Sequence, residues 1–324
     1  MTYTEVLHFL FSQLPMYQRD GKVAFKKKLT NTIKLCKALG NPHYKFPSIH
    51  IAGTNGKGST AHMIAGILQA AELKVGLYTS PHYRDYRERI KINGRYISKK
   101  DVIDFVQSNQ ATIESIQPSF FEMTVGLAFD YFAKQNVDIA VIETGLGGRL
   151  DSTNIIDPLV SVITNIGLDH QAMLGDTMEL IAAEKAGIMK TGVPCVIGRR
   201  QKQTTELFEK VATKKSVTLH YAEDYIKTRI LDRHIRQTSI EIQNHQGETY
   251  TIDLPSGVSY NIENCRTAIA TIIPLIESSA FSITNYHIQA GLKGFPYMTK
   301  YIGRWHIKSN KPLVLLDAAH NEDG

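Results

Sequence analysis

The chain has 324 residues, 43% hydrophobic and 21% charged; this fits one large globular domain or two and excludes a disordered or fibrous protein. The formal net charge of +6 favours anionic ligands. The basic residues are spread along the chain without a like-charged tail, so nucleic acid is not an expected partner.

The opening stretch MTYTEVLHFLFSQLP lacks a basic leader and reads as an amphipathic helix, not a signal peptide. Lys26-Lys27-Lys28 reads as a solvated basic face. Ser48 to Ala52 is a strand. The next segment is a helix, with Ala61, Ile64, Ala65 and Leu68 on one stripe. Lys74 to Tyr78 is a short strand, and Val102 to Ile116 and Phe121 to Ala133 are helices. Val137 to Glu143 and Leu159 to Thr164 are strands. Asp176-x-x-Glu179 resembles a capping box opening a helix to about Met189. Val193 to Ile197 is a buried strand followed by a helix. Tyr225 to Leu254 alternates around a turn at Asn244 to Gly247, which predicts antiparallel hairpins, and a helix spans about Asn261 to Ile276. The order predicts an α/β fold: a mostly parallel sheet flanked by helices, plus a small antiparallel β region. Cys36, Cys195 and Cys265 show no CxxC spacing, which argues against a disulfide framework or a zinc site. No apolar run approaches the roughly 20 residues of a membrane span, so a cytoplasmic protein without membrane contact is expected.

The most informative segment is Ile49 to Thr60, IHIAGTNGKGST. A buried strand enters a glycine-rich turn and then a helix. Gly53, Gly56 and Gly58 permit positive φ and close approach of backbone to ligand. Around Asn55 and Gly56 the N–H groups face an anion at the helix N-terminus. Lys57 adds a point charge for β- and γ-phosphate, and Ser59 or Thr60 a hydroxyl. The spacing differs from the strict G-x-x-x-x-G-K-[ST] pattern, because Gly58 separates Lys57 from Ser59. Strand, turn, hydroxyl pair and apolar helix together still predict nucleotide binding.

Three other positions invite chemistry. Glu143 ends its strand at the edge where open α/β sheets collect ligands, and reads as a metal ligand. Ser80, after the strand KVGLY and before Pro81, is by itself a turn residue. His170 follows the loop NIGLDH; a buried hydrogen-bonding role and a ligand role are both open, since imidazole is an unusual magnesium ligand.

GTNGKGST resembles the phosphate loop of Mur-type ligases, and ordered blocks along the whole chain resemble their folylpolyglutamate synthase and dihydrofolate synthase branch. The blocks are Thr79-Ser80-Pro81-His82, Glu88-Arg89-Ile90 with Asn93-Gly94, Phe121-Glu122, and Glu143 to Asp151. They continue with Gly167-Leu168-Asp169-His170, Leu174 to Thr177, Glu184-Lys185-Ala186-Gly187, Gly303-Arg304-Trp305 and Asp317-x-Ala319-His320-Asn321. The resemblance implies a P-loop ATPase domain over residues 1–297. Residues 298–324 would be a linker and only the start of a truncated second, Rossmann-like domain. The chain alone would then be a weak or inactive ligase.

The implied chemistry is ATP-dependent. ATP phosphorylates a folate or dihydropteroate carboxylate, and the amine of L-glutamate attacks the acyl phosphate, in a monomer with two Mg²⁺ ions. Ser80 and Glu143 become metal ligands and His170 a second-metal ligand. Lys185 matches a lysine that carries a carbamate. Arg304 and His320 match positions on phosphate, Asp317 and Asn264 positions on ribose and base. Phe121, Glu122, Leu150, Asp151 and Ser152 match the segments lining the pterin-bearing substrate, and His82 supports its loop. The sequence departs from the pattern at Thr144, where Val is usual, at Tyr260, Asn261 and Cys265, at Ala318, where Gly is usual, and at Glu322, where Pro is usual. Competing readings are a Mur ligase acting on a nucleotide-linked peptidoglycan precursor, a nonenzymatic nucleotide-binding remnant and a P-loop kinase.

Overall fold

The computed structural model describes residues 1–12, 14, 15, 28–322 and 324; Lys26 and Lys27 of the basic run lie outside them. An eight-stranded sheet organises the chain. Its strands are β1 (Ser48–Ala52), β2 (Val75–Tyr78), β3 (Ile90–Ile92), β4 (Arg95–Tyr96), β5 (Ile139–Glu143), β6 (Val160–Ile163), β7 (Cys195–Ile197) and β8 (Leu219–Tyr221). The spatial order is β4-β3-β2-β5-β1-β6-β7-β8. The six strands from β2 to β8 in that order pair in parallel, whereas β3 and β4 add an antiparallel edge.

Strand alternation assigns the core. Ile49 and Ile51 of β1, Val141 of β5 and Val162 of β6 face one side. They pack there with α3 (Lys57–Ala70), α11 (Tyr260–Glu277) and α12 (Asn285–Met298). Ala140 and Ile142 of β5 face the other side, against α1 (Tyr3–Ser12), α4 (Lys99–Ser108) and α6 (Phe120–Lys134). Ala52, Ile163 and Ile197 also face that side, against α8 (Met178–Ala186) and α9 (Lys202–Lys215). Both faces are covered, as parallel strands require. The remaining helices are α2 (Thr30–Ala38), α5 (Gln110–Ile116), α7 (Gln171–Leu174) and α10 (Ala222–Tyr225).

The predicted antiparallel region is a three-stranded meander of β9 (Ile226–His234), β10 (Gln237–Asn244) and β11 (Thr249–Leu254). Its apolar residues Ile240, Ile242 and Ile252 join the first core. Beyond α12, β12 (His306–Asn310) and β13 (Leu313–Leu316) form an antiparallel hairpin. No helix among the described residues is long and apolar enough to cross a membrane, and the three cysteines are free and buried.

Two local expectations are corrected. The helix predicted over Val102 to Ile116 breaks at Asn109, whose side-chain amide donates to the Phe105 carbonyl at 2.8 Å. The Asn109 backbone leaves helical values there, at φ −114° and ψ 12°, although its own amide still donates to the same Phe105 carbonyl at 3.1 Å. The cap of α8 is Thr177, not Asp176: its hydroxyl accepts from the Leu180 amide at 3.3 Å. The helix ends at Ala186, short of Met189.

Candidate active site

The cleft forms where β1, β5 and β6 end. After Ala52 the chain turns at Gly53, with φ +150°; a Cβ there would stand 1.9 Å from the Thr164 hydroxyl. Gly56 precedes α3 at φ +82°, and a Cβ there would meet the Asn264 side-chain oxygen at 2.3 Å. Only glycine fits both positions. The loop is zipped to the segment after β6. The Thr54 amide donates to the Asn165 carbonyl at 2.9 Å, the Asn55 amide to the Asn165 side chain at 2.8 Å, and the Thr164 hydroxyl to the Asn55 carbonyl at 2.6 Å.

Lys57 folds back onto this loop and donates to the carbonyls of Gly53 and Thr54 at 3.0 and 3.1 Å. Lys185, on α8 and 4% exposed, donates to the same Gly53 carbonyl at 2.9 Å. Burial lowers the pKa of both amines. Glu143 raises that of Lys57 in part, while Lys57 itself pushes Lys185 further down, to about 7. Glu143, the last residue of β5, is 3% exposed and accepts the Ser80 amide at 2.9 Å. Burial raises its pKa, opposed chiefly by Lys57. His170 sits at φ +49° ahead of α7, its amide donating to Asp169 at 2.8 Å. Burial lowers its pKa against the attraction of Asp169.

Lys57, Ser80, Glu143, His170 and Lys185 line one cleft of about 390 Å³ with Asn55, Gly56, Gly58 and Ser59. From late in the chain, Asn264, Arg304, Asp317 and His320 also line it. The Arg304 guanidinium donates to the Tyr83 hydroxyl at 2.9 Å. Asp317 accepts from the Trp305 amide and the Tyr260 hydroxyl, both at 2.9 Å. Asn264 donates to Asn261 at 3.1 Å.

Other expected residues stand outside this lining. Thr60 is fully buried behind the loop, 3.5 Å from the Asn264 side-chain oxygen. Glu122 closes a capping box on α6, accepting the Ser119 amide at 2.7 Å. His82 accepts from Arg89 at 2.8 Å, and burial with that guanidinium pushes its pKa down to about 4. Asp151 accepts the amides of Gly145 and Leu146 at 2.8 and 2.9 Å, and so shapes a loop that does line the cleft. It also accepts from the Thr153 hydroxyl, to which His50 donates at 2.8 Å. Ser152 is buried beside it and Leu150 half-buried. Phe121 lies against Gly145, where a Cβ would meet the ring at 2.4 Å.

Sequence reasoning gave no role to Tyr301, whose hydroxyl is 2.7 Å from that of Ser59, nor to Tyr83 on Arg304. These partners are 242 and 221 residues apart, so no spacing signal links them. Asp169 and Asn321 lie within the resembling blocks, but only the fold brings them together, at 3.0 Å.

Residues 51–272 match the Mur ligase middle domain family. The folylpolyglutamate synthase of Lacticaseibacillus casei is 35% identical over all of this chain and 75% of its own length. The dihydrofolate synthase/folylpolyglutamate synthase of Bacillus subtilis is 35% identical over 94% of this chain and 71% of its own. Among solved structures, the FPGS–AMPPCP–folate complex superposes with TM-score 0.91 at 32% identity, covering 100% of this chain and 78% of that one. The folylpolyglutamate synthase of Thermotoga maritima gives 0.85 at 35%, covering 98% and 71%. With that match across the sheet and the cleft it carries, the chain belongs to the folylpolyglutamate synthase and dihydrofolate synthase family of Mur-type ligases.

Proposed function

We propose that this chain ligates L-glutamate to the carboxylate of a folate or of dihydropteroate at the expense of ATP, through an acyl phosphate. The observation that carries the reading is the convergence of a glycine cradle, Lys57, Lys185, Glu143 and His170 on one sheet edge. A carboxylate is a poor electrophile and repels the triphosphate, so the site must neutralise charge and hold the γ-phosphate in line with the attacking oxygen. The loop amides and Lys57 hold the phosphates. Arg304 and His320 meet phosphate oxygens, and Asp317 and Asn264 the ribose and base.

The residues present fit Mg²⁺. Glu143 and Ser80 offer hard oxygens, and among the described residues no cluster of three or more His, Cys, Asp or Glu is arranged as a cage. That suits a cation held by one carboxylate, waters and phosphate oxygens. Ser80 and Glu143 would hold one ion and His170 a second; when bound, they neutralise the developing charge on the phosphoryl group.

Lys185 takes up CO₂ as a carbamate. That reaction needs a neutral amine, which its burial beside Lys57 provides near neutral pH. A crystal grown with bicarbonate that shows a bare ammonium at Lys185 would refute this. The pteridine lies along the wall shaped by Phe121 and Asp151, with the Phe121 ring stacked on the flat heterocycle. Leu150, Ser152, Glu122 and His82 support that wall.

The deciding experiment is phosphate release by the purified chain over a panel of pteroates, folates and uridine-diphosphate-linked peptides, with and without glutamate. Release that requires both a pteridine acid and glutamate, with an amide product, is the expected result. ATP binding without acceptor-dependent hydrolysis sinks the proposal, and turnover of the uridine-linked peptides redirects it to cell-wall precursors.

A further inference from the structure

Three segments far apart in sequence meet beside the cleft through one side chain. Asn55, in the phosphate loop, and Asn321, after β13, exchange two amide hydrogen bonds. The Asn55 amide nitrogen donates to the Asn321 oxygen at 3.2 Å, and the Asn321 nitrogen donates back at 3.0 Å. The Asn321 nitrogen also donates to Asp169 at 3.0 Å. Its oxygen accepts in addition the Gly324 amide at 2.9 Å. Both donors and both acceptor sites of this carboxamide are therefore used. A flipped amide would set its oxygen against the Asp169 carboxylate, so the orientation is fixed by charge. Asp169 in turn accepts the His170 amide at 2.8 Å with its other oxygen and has the His320 ring 3.7 Å away. Asn321 itself does not line the cleft, but its neighbour His320 does.

We infer that Asn321 and Asp169 form a clasp that positions the site: it holds the segment carrying Asp317 and His320 against the phosphate loop and fixes that loop relative to the His170 turn. Both are positioning residues that act through Asn55 and His170. The bonds from the Thr54 and Asn55 amides to the Asn165 carbonyl and side chain join only two of the three segments. The third, bearing Asp317 and His320, meets the phosphate loop through the Asn321 carboxamide, and Asp169 through that carboxamide and the nearby His320 ring. A bond from a neutral amide to a carboxylate is among the stronger side-chain hydrogen bonds.

A charge swap tests this. Asn321→Asp sets two carboxylates face to face and removes the donor. Adding Asp169→Asn restores a donor–acceptor pair with the roles exchanged. In nucleotide-free protein, amide hydrogen exchange over residues 53–58 and 167–171 should quicken about tenfold in Asn321→Asp and return to within about threefold of the parent in the double variant. The melting temperature should stay within about 2 °C throughout, because the clasp lies at the surface of the fold. Affinity for a non-hydrolysable ATP analogue should fall about tenfold and recover in the same pattern. Unchanged exchange in Asn321→Asp, or a double variant worse than the single, overturns the clasp. The nucleotide readout rests on the proposed function. A parent chain that binds no nucleotide would refute that function, while the exchange data still decide the clasp.

Discussion

Lys57 and Lys185 donate to one carbonyl oxygen, that of Gly53, so two ammonium groups compete in a buried space. At Lys185 burial and the charge of Lys57 act in the same direction, and its pKa falls to about 7 from 10.5. The sign of the consequence is definite. Below about pH 7 folded and unfolded chains both hold the proton, and the burial penalty stands in full. Between about 7 and 10.5 the unfolded chain holds a proton the folded chain has released, so this group's contribution to stability rises with pH. In CO₂-free buffer, Lys185→Met should be the more stable form near pH 6, and its advantage in urea midpoint should shrink toward pH 9. A difference independent of pH would show that Lys185 is not titrating in the fold. Thr144 makes a second case. It is 1% exposed, directly follows Glu143, and its hydroxyl finds no hydrogen-bond partner among the described residues. An unpartnered buried hydroxyl costs about 1–3 kcal/mol. Thr144→Val keeps the shape and removes that cost, so a gain of about 1 kcal/mol in urea denaturation is expected, and a loss would mean the hydroxyl has a partner.

At the scale of elements, the close crossing of α3 and α12 sets how the phosphate-loop helix sits. A Cβ on Gly66 would come within 2.7 Å of the Phe295 Cβ, and one on Gly291 within 2.4 Å of the Ile67 Cα. Because the obstacle at Gly291 is backbone, Gly291→Ala must push the helices apart; we expect a loss of about 1–3 kcal/mol by chemical denaturation. A variant as stable as the parent would show that the two helices slide freely. What was legible in the sequence follows the same physics. β1 and α3 were readable because a fully buried strand, a glycine turn and an apolar stripe are all local signals. The break at Asn109 was not, because the apolar residues on either side keep helical spacing and only the backbone of one residue departs from helical values, at φ −114° and ψ 12°. Asp176 imitated the cap that Thr177 provides because both are good caps one residue apart. Asp151 stood out only by resemblance; its two bonds to the loop amides of Gly145 and Leu146 depend on a turn that no periodicity announces.

For the molecule as a whole, the first core is decisive. It unites residues of the large sheet, α3, α11, α12 and the three-stranded sheet in one cluster, so the phosphate loop is rooted in the same packing that holds the antiparallel region. The elements that share this core should therefore unfold in a single transition, and a ligand gripping only the loop should stabilise them together. With unfolding entropy near 2.1 cal/mol/K per residue, the chain has a slope of roughly 0.7 kcal/mol/K at its midpoint. An ATP analogue at about 100 times its dissociation constant contributes about 2.7 kcal/mol. The melting temperature should then rise by about 4 °C, equally by far-UV circular dichroism and by Trp305 fluorescence. If Glu143 helps hold Mg²⁺ as proposed, chelation should reduce the shift, because the carboxylate and the phosphates would then repel unneutralised, and Lys57→Ala should nearly abolish it at the same analogue concentration. Two separate transitions, or a shift seen by one probe alone, would mean that the antiparallel region and the nucleotide cleft do not share a core.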